Sequence, residues 1–392
     1  MPVKLLSCID LQYWPTPGVL PVDVPLLDLR AQHAAIKDAV MSAVSSVIDR
    51  QQFIMGPEIQ QLEAAVAGLS RTKHAIGCAS GTDAILLPLK ALDLKPGDEV
   101  ITPAFTFFAT AGTVHNAGGT PVFVDIEPDT FNVSPEAIEA AITPRTRAII
   151  VVHLYGQMAD MERVLAIASA RGIPVIEDAA QAIGASRRMN GVSRMAGETG
   201  WAGTLSFFPS KNLGGWGDGG MILTQDDAVA ERMRRLRLHG GMKTYYHDEV
   251  GTNSRLDTLQ AAVLLAKMPY LAGWSAARRD KAAAYAERFR GLDEVRVPVT
   301  DPANEHIFHQ YTLRVDRRDA LQEHLRGRGI GCAVYYPLGL HLQPCFAPLG
   351  YQPGSLPVTE AAMRDVISLP VYPELSEAQL DAVVGAIRDF YN

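Results

Sequence analysis

The stretch that decides the fold starts with GIPVIEDAAQ at residues 172–181. A short apolar run closed by acidic residues is typical of a buried strand that ends on a carboxylate, here Asp178. The later run TLSFFPSK, residues 204–211, predicts a second strand that ends on Lys211. The glycine-rich run NLGGWGDGG follows at residues 212–220, so we expect the backbone there to approach another group closely.

An acid and a lysine at the ends of two neighbouring strands suit an aldehyde cofactor built on a pyridine ring. The amine of Lys211 can form an imine with the aldehyde, and the carboxylate of Asp178 can keep the ring nitrogen protonated so that the ring accepts electrons. A lone lysine after a strand is more often a solvated surface residue, but Lys211 is bounded by phenylalanines, a proline and the glycine run. The pair therefore predicts pyridoxal phosphate, attached at Lys211 and tuned by Asp178.

Length and composition are those of an ordinary globular protein. The chain has 392 residues, of which 47% are hydrophobic and 20% are charged. This length suggests roughly two to three domains with ample cores. A formal net charge of -7 without a lysine- or arginine-rich run argues against nucleic acid as a partner, and no stretch reaches the length of a membrane span. Four cysteines without paired spacing predict reduced thiols in a cytoplasmic protein.

Helix and strand signals alternate along most of the chain. Residues 1–23 predict an extended N-terminal arm and no secretory signal. Residues 24–270 predict a large α/β domain, because continuously apolar strands alternating with helices indicate a mostly parallel sheet sandwiched by helices. Ligands of such sheets bind beyond the carboxyl ends of the strands, where Asp178 falls. Residues 271–392 predict a smaller α+β domain, and Pro88 should kink or shorten the helix that contains it.

Two glycine motifs have more than one interpretation. Gly81 and Thr82 at a predicted helix start can be a simple cap, or their backbone donors and the helix dipole can hold a phosphate. The run at residues 215–220 matches the spacing of a dinucleotide-binding fingerprint. It leads into a strand predicted at residues 221–224 and not into a helix, so we do not expect a nicotinamide site there.

Two further clusters have an ordinary structural explanation. His306 and His309 are three residues apart, but no carboxylate or cysteine cluster with ligand spacing surrounds them, so a metal site is not expected. Phe105, Phe107 and Phe108 are core residues by default, although one of them can instead stack on a flat ring.

Several motifs together resemble a known family. In chain order they are GPE at residues 56–58, SGTDA at 80–84, TPAFTF at 102–107, EDAAQ at 177–181, SFFPSK at 206–211 and NSRLD at 253–257. In this order they resemble the DegT family of nucleotide-sugar aminotransferases, within the aspartate aminotransferase superfamily of fold type I, from residue 24 to the end of the chain. The resemblance implies the fold-type-I architecture and pyridoxal 5′-phosphate as the cofactor.

The resemblance also implies roles for single residues. Lys211 would be the Schiff-base lysine that also moves a proton at the substrate Cα, and Asp178 would pair with the pyridinium nitrogen. Gln181 would hydrogen-bond the phenolic oxygen, and Phe107 would stack on the ring. The phosphate would be held by the backbone of Gly81 and Thr82, by the Ser206 hydroxyl and by Asn253 of the partner subunit. The last contact implies a homodimer with shared active sites.

Arg255, Tyr335, Tyr336 and His341 are the candidate substrate contacts. The Arg255 fork suits a carboxylate or a sugar-nucleotide anion, although a structural ion pair is its ordinary role. Many relatives carry a histidine where Tyr335 stands, so this chain departs from the family pattern where sugar selectivity is expected. Residues 211–218 resemble the branch that aminates 3-keto sugars more than the 4-keto branch.

The sequence therefore predicts a transaminase of amino-sugar biosynthesis. It takes an amino group from L-glutamate and delivers it to a keto group, at C3, of a nucleotide-linked hexose. One alternative is a sugar dehydratase of the same fold, but those relatives carry histidine at the position of Lys211. The other is a non-catalytic regulatory or binding protein, against which Asp178, Gln181, Ser206 and Lys211 argue together.

Overall fold

The computed structural model describes residues 24–392, so the arm predicted for residues 1–23 lies outside the described part. The helices of the described residues are α1 Leu29–Arg50, α2 Pro57–Ser70, α3 Gly81–Ala91, α4 Ala109–Asn116, α5 Pro135–Ala141, α6 Met161–Ser169, α7 Asp227–Leu236, α8 Thr258–Lys267, α9 Leu271–Arg288, α10 Arg318–Gly327, α11 Pro357–Asp365 and α12 Glu377–Tyr391. The strands are β1 His74–Cys78, β2 Glu99–Pro103, β3 Thr120–Val124, β4 Thr146–Val152, β5 Val175–Asp178, β6 Ser186–Met189, β7 Val192–Met195, β8 Ala202–Ser206, β9 Gly220–Thr224, β10 Val295–Arg296, β11 Asn304–Glu305, β12 Tyr311–Val315 and β13 Val366–Leu369.

The largest sheet within residues 24–392 has seven strands in the order β1-β9-β8-β5-β4-β2-β3. From β8 through β5, β4 and β2 to β3 every pair is parallel, whereas β9 runs antiparallel to both β8 and β1. Strands β2 and β5 are buried along their whole length, as expected where helices cover both faces of a parallel sheet. The predicted α/β class with a mostly parallel sheet is confirmed.

The strand predicted over residues 204–211 is shorter than expected. Strand β8 ends at Ser206, and Lys211 lies in the turn that follows. Phe207 still pairs, because its N–H donates to the Gly219 carbonyl at 2.8 Å, but Phe208 turns toward the surface. Pro209 has no N–H to donate to a sheet, so the strand does not continue through it.

Helix α3 contains Pro88, for which a kink or an early end of the helix was predicted, and only the early end is contradicted. Its N-cap residue Ser80 accepts a hydrogen bond from the Asp83 N–H at 3.1 Å, which fixes the first turn. Pro88 lies inside the helix, yet the helix continues to Ala91 and does not end early. Pro88 is buried within this helix.

A second core forms around the three-stranded sheet β10-β12-β13 and helices α9, α10 and α12. Val24 packs into this core, because it pairs with Ile330 and its N–H donates to the Gly329 carbonyl at 3.0 Å. Helix α9 contributes Leu271 to the first core and Tyr285 to the second. A domain boundary at residues 270/271, where α9 begins, stays a prediction.

None of the helices described between residues 24 and 392 combines the length and the apolar character needed to cross a membrane.

Candidate active site

Asp178 is the last residue of β5 and lies at the carboxyl edge of the sheet. Its side chain is buried, with 5% of the residue exposed. Oδ1 accepts a hydrogen bond from the Ala180 N–H at 3.2 Å, and Oδ2 accepts one from the Thr110 hydroxyl at 2.9 Å. Burial raises the pKa of Asp178, while these two donors and the charges of Lys211 and His153 oppose the rise.

Lys211 brings an amine to the same edge of the sheet. Its backbone N–H donates to the Phe208 carbonyl at 2.8 Å, which closes the turn after β8. Burial lowers the pKa of the Lys211 amine to about 8, and the Asp178 charge opposes that shift. Within the described part of the chain, Nζ makes no hydrogen bond. An amine with a lowered pKa and no competing partner is suited to attack an aldehyde near neutral pH.

The N-terminus of α3 forms a cradle that only glycine fits. A β-carbon placed on Gly81 would lie 2.7 Å from the Ser206 Cβ and 2.9 Å from its Oγ. A β-carbon on Gly220 would lie 2.2 Å from the Ser80 carbonyl oxygen. The Ser206 hydroxyl is thus held against the first turn of α3, where Thr82 is exposed. Backbone donors, a helix dipole and a hydroxyl at one point suit a phosphate group.

Gln181 connects the edge of the sheet to the substrate loop predicted around residue 335. Its Oε1 accepts a hydrogen bond from the Tyr155 N–H at 2.7 Å, and its Nε2 donates to the Tyr336 hydroxyl at 3.1 Å. The Tyr155 hydroxyl in turn donates to the Tyr335 carbonyl. An amide nitrogen carries two protons, and the binding of Gln181 to a phenolic oxygen of a cofactor stays a prediction.

The three phenylalanines after β2 lie in different environments. Phe105 is a core residue and packs edge-on against Tyr336, with ring centroids 5.9 Å apart. Phe108 stacks on Phe346, with ring centroids 5.8 Å apart. Phe107 is 59% exposed and Phe108 is 47% exposed, so the default expectation of a core position is wrong for both residues. An exposed ring is available to stack on a flat cofactor, which stays a prediction.

The predicted substrate residues are not equally accessible. Arg255 lines a surface cavity of ≈ 720 Å³ formed with the loop at residues 238–251, and its buried Nε has no partner among residues 24–392. Asn253 is exposed. His341 is only 1% exposed and its Nε2 lies 3.3 Å from Glu360. A bound sugar would reach His341 only if the chain around His341 moved.

Glu177 and His153 form a buried pair that the sequence analysis missed. His153 Nδ1 accepts the Ala159 N–H at 3.2 Å, so its Nε2 donates to Glu177 at 2.8 Å. Glu177 also accepts the Gly197 N–H at 2.9 Å. Burial alone would raise the pKa of Glu177, but these donors and Gly200 bring the pKa below its ordinary value. Glu177 thus ties β5 to the end of β4 through His153 and to the turn before β8 through Gly197 and Gly200, which fixes the strand end that carries Asp178.

The two histidines considered as metal ligands form hydrogen bonds with other groups of the chain. Burial lowers the pKa of His306 to about 3, and its Nδ1 accepts the Phe308 N–H at 3.0 Å. His309 Nδ1 lies 3.1 Å from the Asn212 Oδ1, and burial lowers the pKa of His309 well below its ordinary value. No group of three or more histidine, cysteine or acidic residues between residues 24 and 392 is arranged to hold a metal ion.

Comparison with known proteins places these features in a family context. The sequence profile of the DegT/DnrJ/EryC1/StrS aminotransferase family matches residues 34–388. A Geobacillus stearothermophilus protein named "Pleiotropic regulatory protein" is 52% identical, over 94% of this chain and 99% of its own length. The "UDP-N-acetyl-3-dehydro-alpha-D-glucosamine 3-aminotranferase" of Acidithiobacillus ferrooxidans is 47% identical, over 93% of this chain and 97% of its own length. The crystal structure of S. venezuelae DesV, in complex with a ketimine intermediate, superposes with a TM-score of 0.91 and 42% identity, covering 94% of this chain and 98% of that one.

Proposed function

Because the chain belongs to the DegT/DnrJ/EryC1/StrS aminotransferase family, we propose that it transfers the amino group of L-glutamate to the C3 keto group of a nucleotide-linked hexose. The observation that carries the proposal is the pairing of Lys211 with Asp178. Lys211, whose amine has a pKa of about 8, and the buried carboxylate of Asp178 lie close enough beyond the carboxyl ends of the strands for each charge to influence the pKa of the other. The chain is a pyridoxal-phosphate-dependent transaminase of amino-sugar biosynthesis.

The residues present fit this cofactor. Bound pyridoxal phosphate supplies an electron sink for the charge that develops at the Cα of an amino acid. The Asp178 carboxylate holds a proton at the ring nitrogen, and Gln181 donates to the phenolic oxygen. Gly81 and Ser206 supply the donors for the phosphate. The Lys211 amine would be the base that removes the proton from the substrate Cα and the acid that gives it back.

The position of amination rests on sequence likeness. The Acidithiobacillus ferrooxidans relative is named as a 3-aminotransferase of a UDP-linked sugar, and the similarity covers 93% of the present chain. The run at residues 211–218 also resembles the 3-keto branch more than the 4-keto branch. Both observations favour C3 over C4, and neither identifies the nucleotide base.

The test is a panel of UDP- and dTDP-linked 3-keto and 4-keto hexoses, generated in situ and offered with ¹⁵N-labelled L-glutamate. We expect ¹⁵N at C3 of a 3-keto sugar, identified by mass spectrometry and NMR, and 2-oxoglutarate as the second product. The Lys211→Ala variant is the matched control and should leave the sugar unlabelled. Label at C4 alone, or no transfer by cofactor-loaded enzyme to any sugar, would contradict the proposal.

A regulatory function is the second candidate, because a 52% identical relative carries the name of a regulatory protein. Such a protein would bind the cofactor and transfer no amino group to any sugar of the panel. The dehydratase alternative is disfavoured by Lys211 itself. It would yield a deoxygenated keto sugar without ¹⁵N, so one experiment separates all three functions.

We also propose a homodimer whose subunits share their active sites. Phe53, Ile54 and Met55 are exposed apolar residues in sequence. They lie beside the segment that carries Asn253, because Ile54 pairs with Asp257. Exposed apolar patches of this kind mark protein interfaces. An interface here brings Asn253 toward the partner's cofactor.

Complementation between inactive variants tests this arrangement. When Lys211→Ala chains exchange subunits with Asn253→Leu chains, one site of each mixed dimer receives intact Lys211 and Asn253 from different chains. That site should restore up to about half of the activity of a wild-type dimer, if the sites act independently. The measurement is transaminase activity after demonstrated subunit exchange.

Lys211→Ala mixed with Asp178→Asn is the matched control, since both residues belong to one chain's contribution and each site of that mixed dimer keeps one defect. It should recover nothing. If Lys211→Ala and Asn253→Leu also recover nothing in demonstrated mixed dimers, Asn253 serves its own subunit and the shared-site proposal falls.

We further propose a cytoplasmic enzyme. Cys78, Cys332 and Cys345 are free thiols, and thiols persist in this form in the reducing cytosol.

A further inference from the structure

Two buried threonines lie in line behind the Asp178 carboxylate. The Thr110 Oγ1 is 2.9 Å from the Asp178 Oδ2, and the Thr106 Oγ1 is 3.0 Å from the Thr110 Oγ1. Thr106 is 2% exposed and Thr110 is fully buried. Thr106 lies in the bend before α4 and Thr110 lies in the first turn of the helix, and the bend brings the two hydroxyls together.

The direction of these hydrogen bonds follows from the inventory of donors. An ionised carboxylate only accepts, so the single hydroxyl proton of Thr110 must point at Asp178. Thr110 then has no proton left for Thr106, and Thr106 must be the donor of the 3.0 Å contact. Hydrogen bonds aligned in one direction polarise and strengthen each other in a water-free interior.

Asp178 has few other groups to keep it charged. Burial raises its pKa, and apart from Thr110 the opposing groups are the Ala180 N–H, Lys211 and His153. The Lys211 amine is the proposed attachment point of the cofactor, so its charge is not available to Asp178 once the cofactor is attached. Glu177, the adjacent acid, faces His153 and not Asp178. Thr110 is therefore the side chain whose hydroxyl donates directly to the carboxylate.

We propose that Thr106 and Thr110 form a one-directional hydroxyl chain that keeps the Asp178 carboxylate ionised and aimed at the cofactor ring nitrogen. Both are positioning residues, and the inference rests on the proposed function because it concerns the same site. Thr110 satisfies one oxygen lone pair and Ala180 one on the other oxygen. The remaining lone pairs are then free for the ring N–H.

The test uses Thr110→Val, which keeps the shape of the side chain and removes the hydroxyl. Losing a donor raises the pKa of Asp178, so the carboxylate becomes protonated at a higher pH. Cofactor affinity falls when the pH drops through the pKa of Asp178, and we call this fall the acid limb. We expect the acid limb to move up by about one pH unit, because the free energy of a hydrogen bond to a charged group corresponds to a pKa shift of about that size. The measurement is the apparent dissociation constant of the cofactor for apoenzyme between about pH 5 and pH 9, read from absorbance, with a span that covers ordinary and raised carboxyl pKa values.

Three further variants separate the hydroxyl chain from a packing effect. Thr110→Ser keeps the donor and should restore the wild-type limb, and Thr106→Val should give a smaller shift in the same direction. Thr113→Val is the matched control. Thr113 is a buried threonine of the same helix whose hydroxyl bonds the Ala109 carbonyl at 2.8 Å, so its loss should leave the limb in place.

The inference is overturned if the limb of Thr110→Val coincides with that of wild type, or if Thr113→Val moves it as far. If Thr110→Val does not fold, an unmoved limb in Thr106→Val overturns it instead. Because the readout is cofactor binding without any sugar, failure of the inference is distinguishable from failure of the proposed function. In the latter case the wild-type protein itself would bind no cofactor or transfer no amino group.

Discussion

Replacing Lys211 by alanine is expected to lower kcat/KM for amino transfer from L-glutamate by at least about three to four orders of magnitude, the upper part of the range for a lost acid–base group. Lys211 both attaches the cofactor and carries the proton at the substrate Cα, so no step of the reaction proceeds normally without it. The assay is 2-oxoglutarate release under saturating cofactor. Activity above about a few per cent of wild type would mean that another group moves the proton.

Lys267 provides a matched control for this experiment. It is also a buried lysine whose pKa is lowered by burial to about 8, and its Nζ donates to the Gly214 carbonyl at 2.7 Å. Lys267→Met should keep the reaction within about tenfold of wild type once the folded fraction is normalised, since structural substitutions act mainly through stability. A low pKa alone therefore does not mark the catalytic lysine. The position of Lys211 opposite Asp178 does.

The Asp178→Asn variant is expected to bind pyridoxal phosphate more weakly than wild type and, at saturating cofactor, to lose about two or more orders of magnitude in the half-reaction with L-glutamate, as is typical when one preorganised electrostatic contact is removed. An amide carries no charge, so it does not hold a proton on the ring nitrogen, and the charge at Cα is less well stabilised. The measurement is single-turnover kinetics, with rates normalised to the cofactor bound per chain.

Asp218→Asn is the matched control for the loss of an acid near the site. Asp218 is an exposed acid of the glycine-rich run that follows Lys211. Its substitution should leave the half-reaction close to wild type. A near-normal rate in Asp178→Asn would show that another group meets the ring nitrogen, and an equal loss in both variants would point to a general effect of net charge.

Sequence patterns predicted a strand end correctly where it depends on residues that are neighbours along the chain. The apolar run at residues 173–176 and the acids after it predicted a strand ending on Asp178, and β5 ends there. The same reasoning failed at Lys211, where strand-forming phenylalanines suggested five residues of sheet that do not exist. Phe207 remains in the core and Phe208 turns outward. Successive side chains also alternate between inside and outside along a strand, so this pattern does not distinguish a strand from a turn.

Contacts between distant parts of the chain were not predictable from one sequence. Thr110 is 68 residues from Asp178, and only the packing of α4 over the sheet edge brings them together. Thr106 lies in a bend before α4, so helical spacing does not predict its contact with Thr110. His341 was predicted as a substrate contact, yet it is buried beside Glu360 of α11, a contact between two segments that the sequence pattern did not relate.

The most direct test of the account is to find which lysine carries the cofactor. Borohydride reduction of the holoenzyme fixes the cofactor covalently, and tryptic mapping then locates the added mass. A reduced Lys211 blocks cleavage and leaves one peptide over residues 195–232, whereas a reduced Lys267 leaves residues 256–278. We expect the cofactor mass on the 195–232 peptide, at Lys211. Cofactor mass on the 256–278 peptide or on any other lysine, or no covalent label on cofactor-loaded protein, would contradict it.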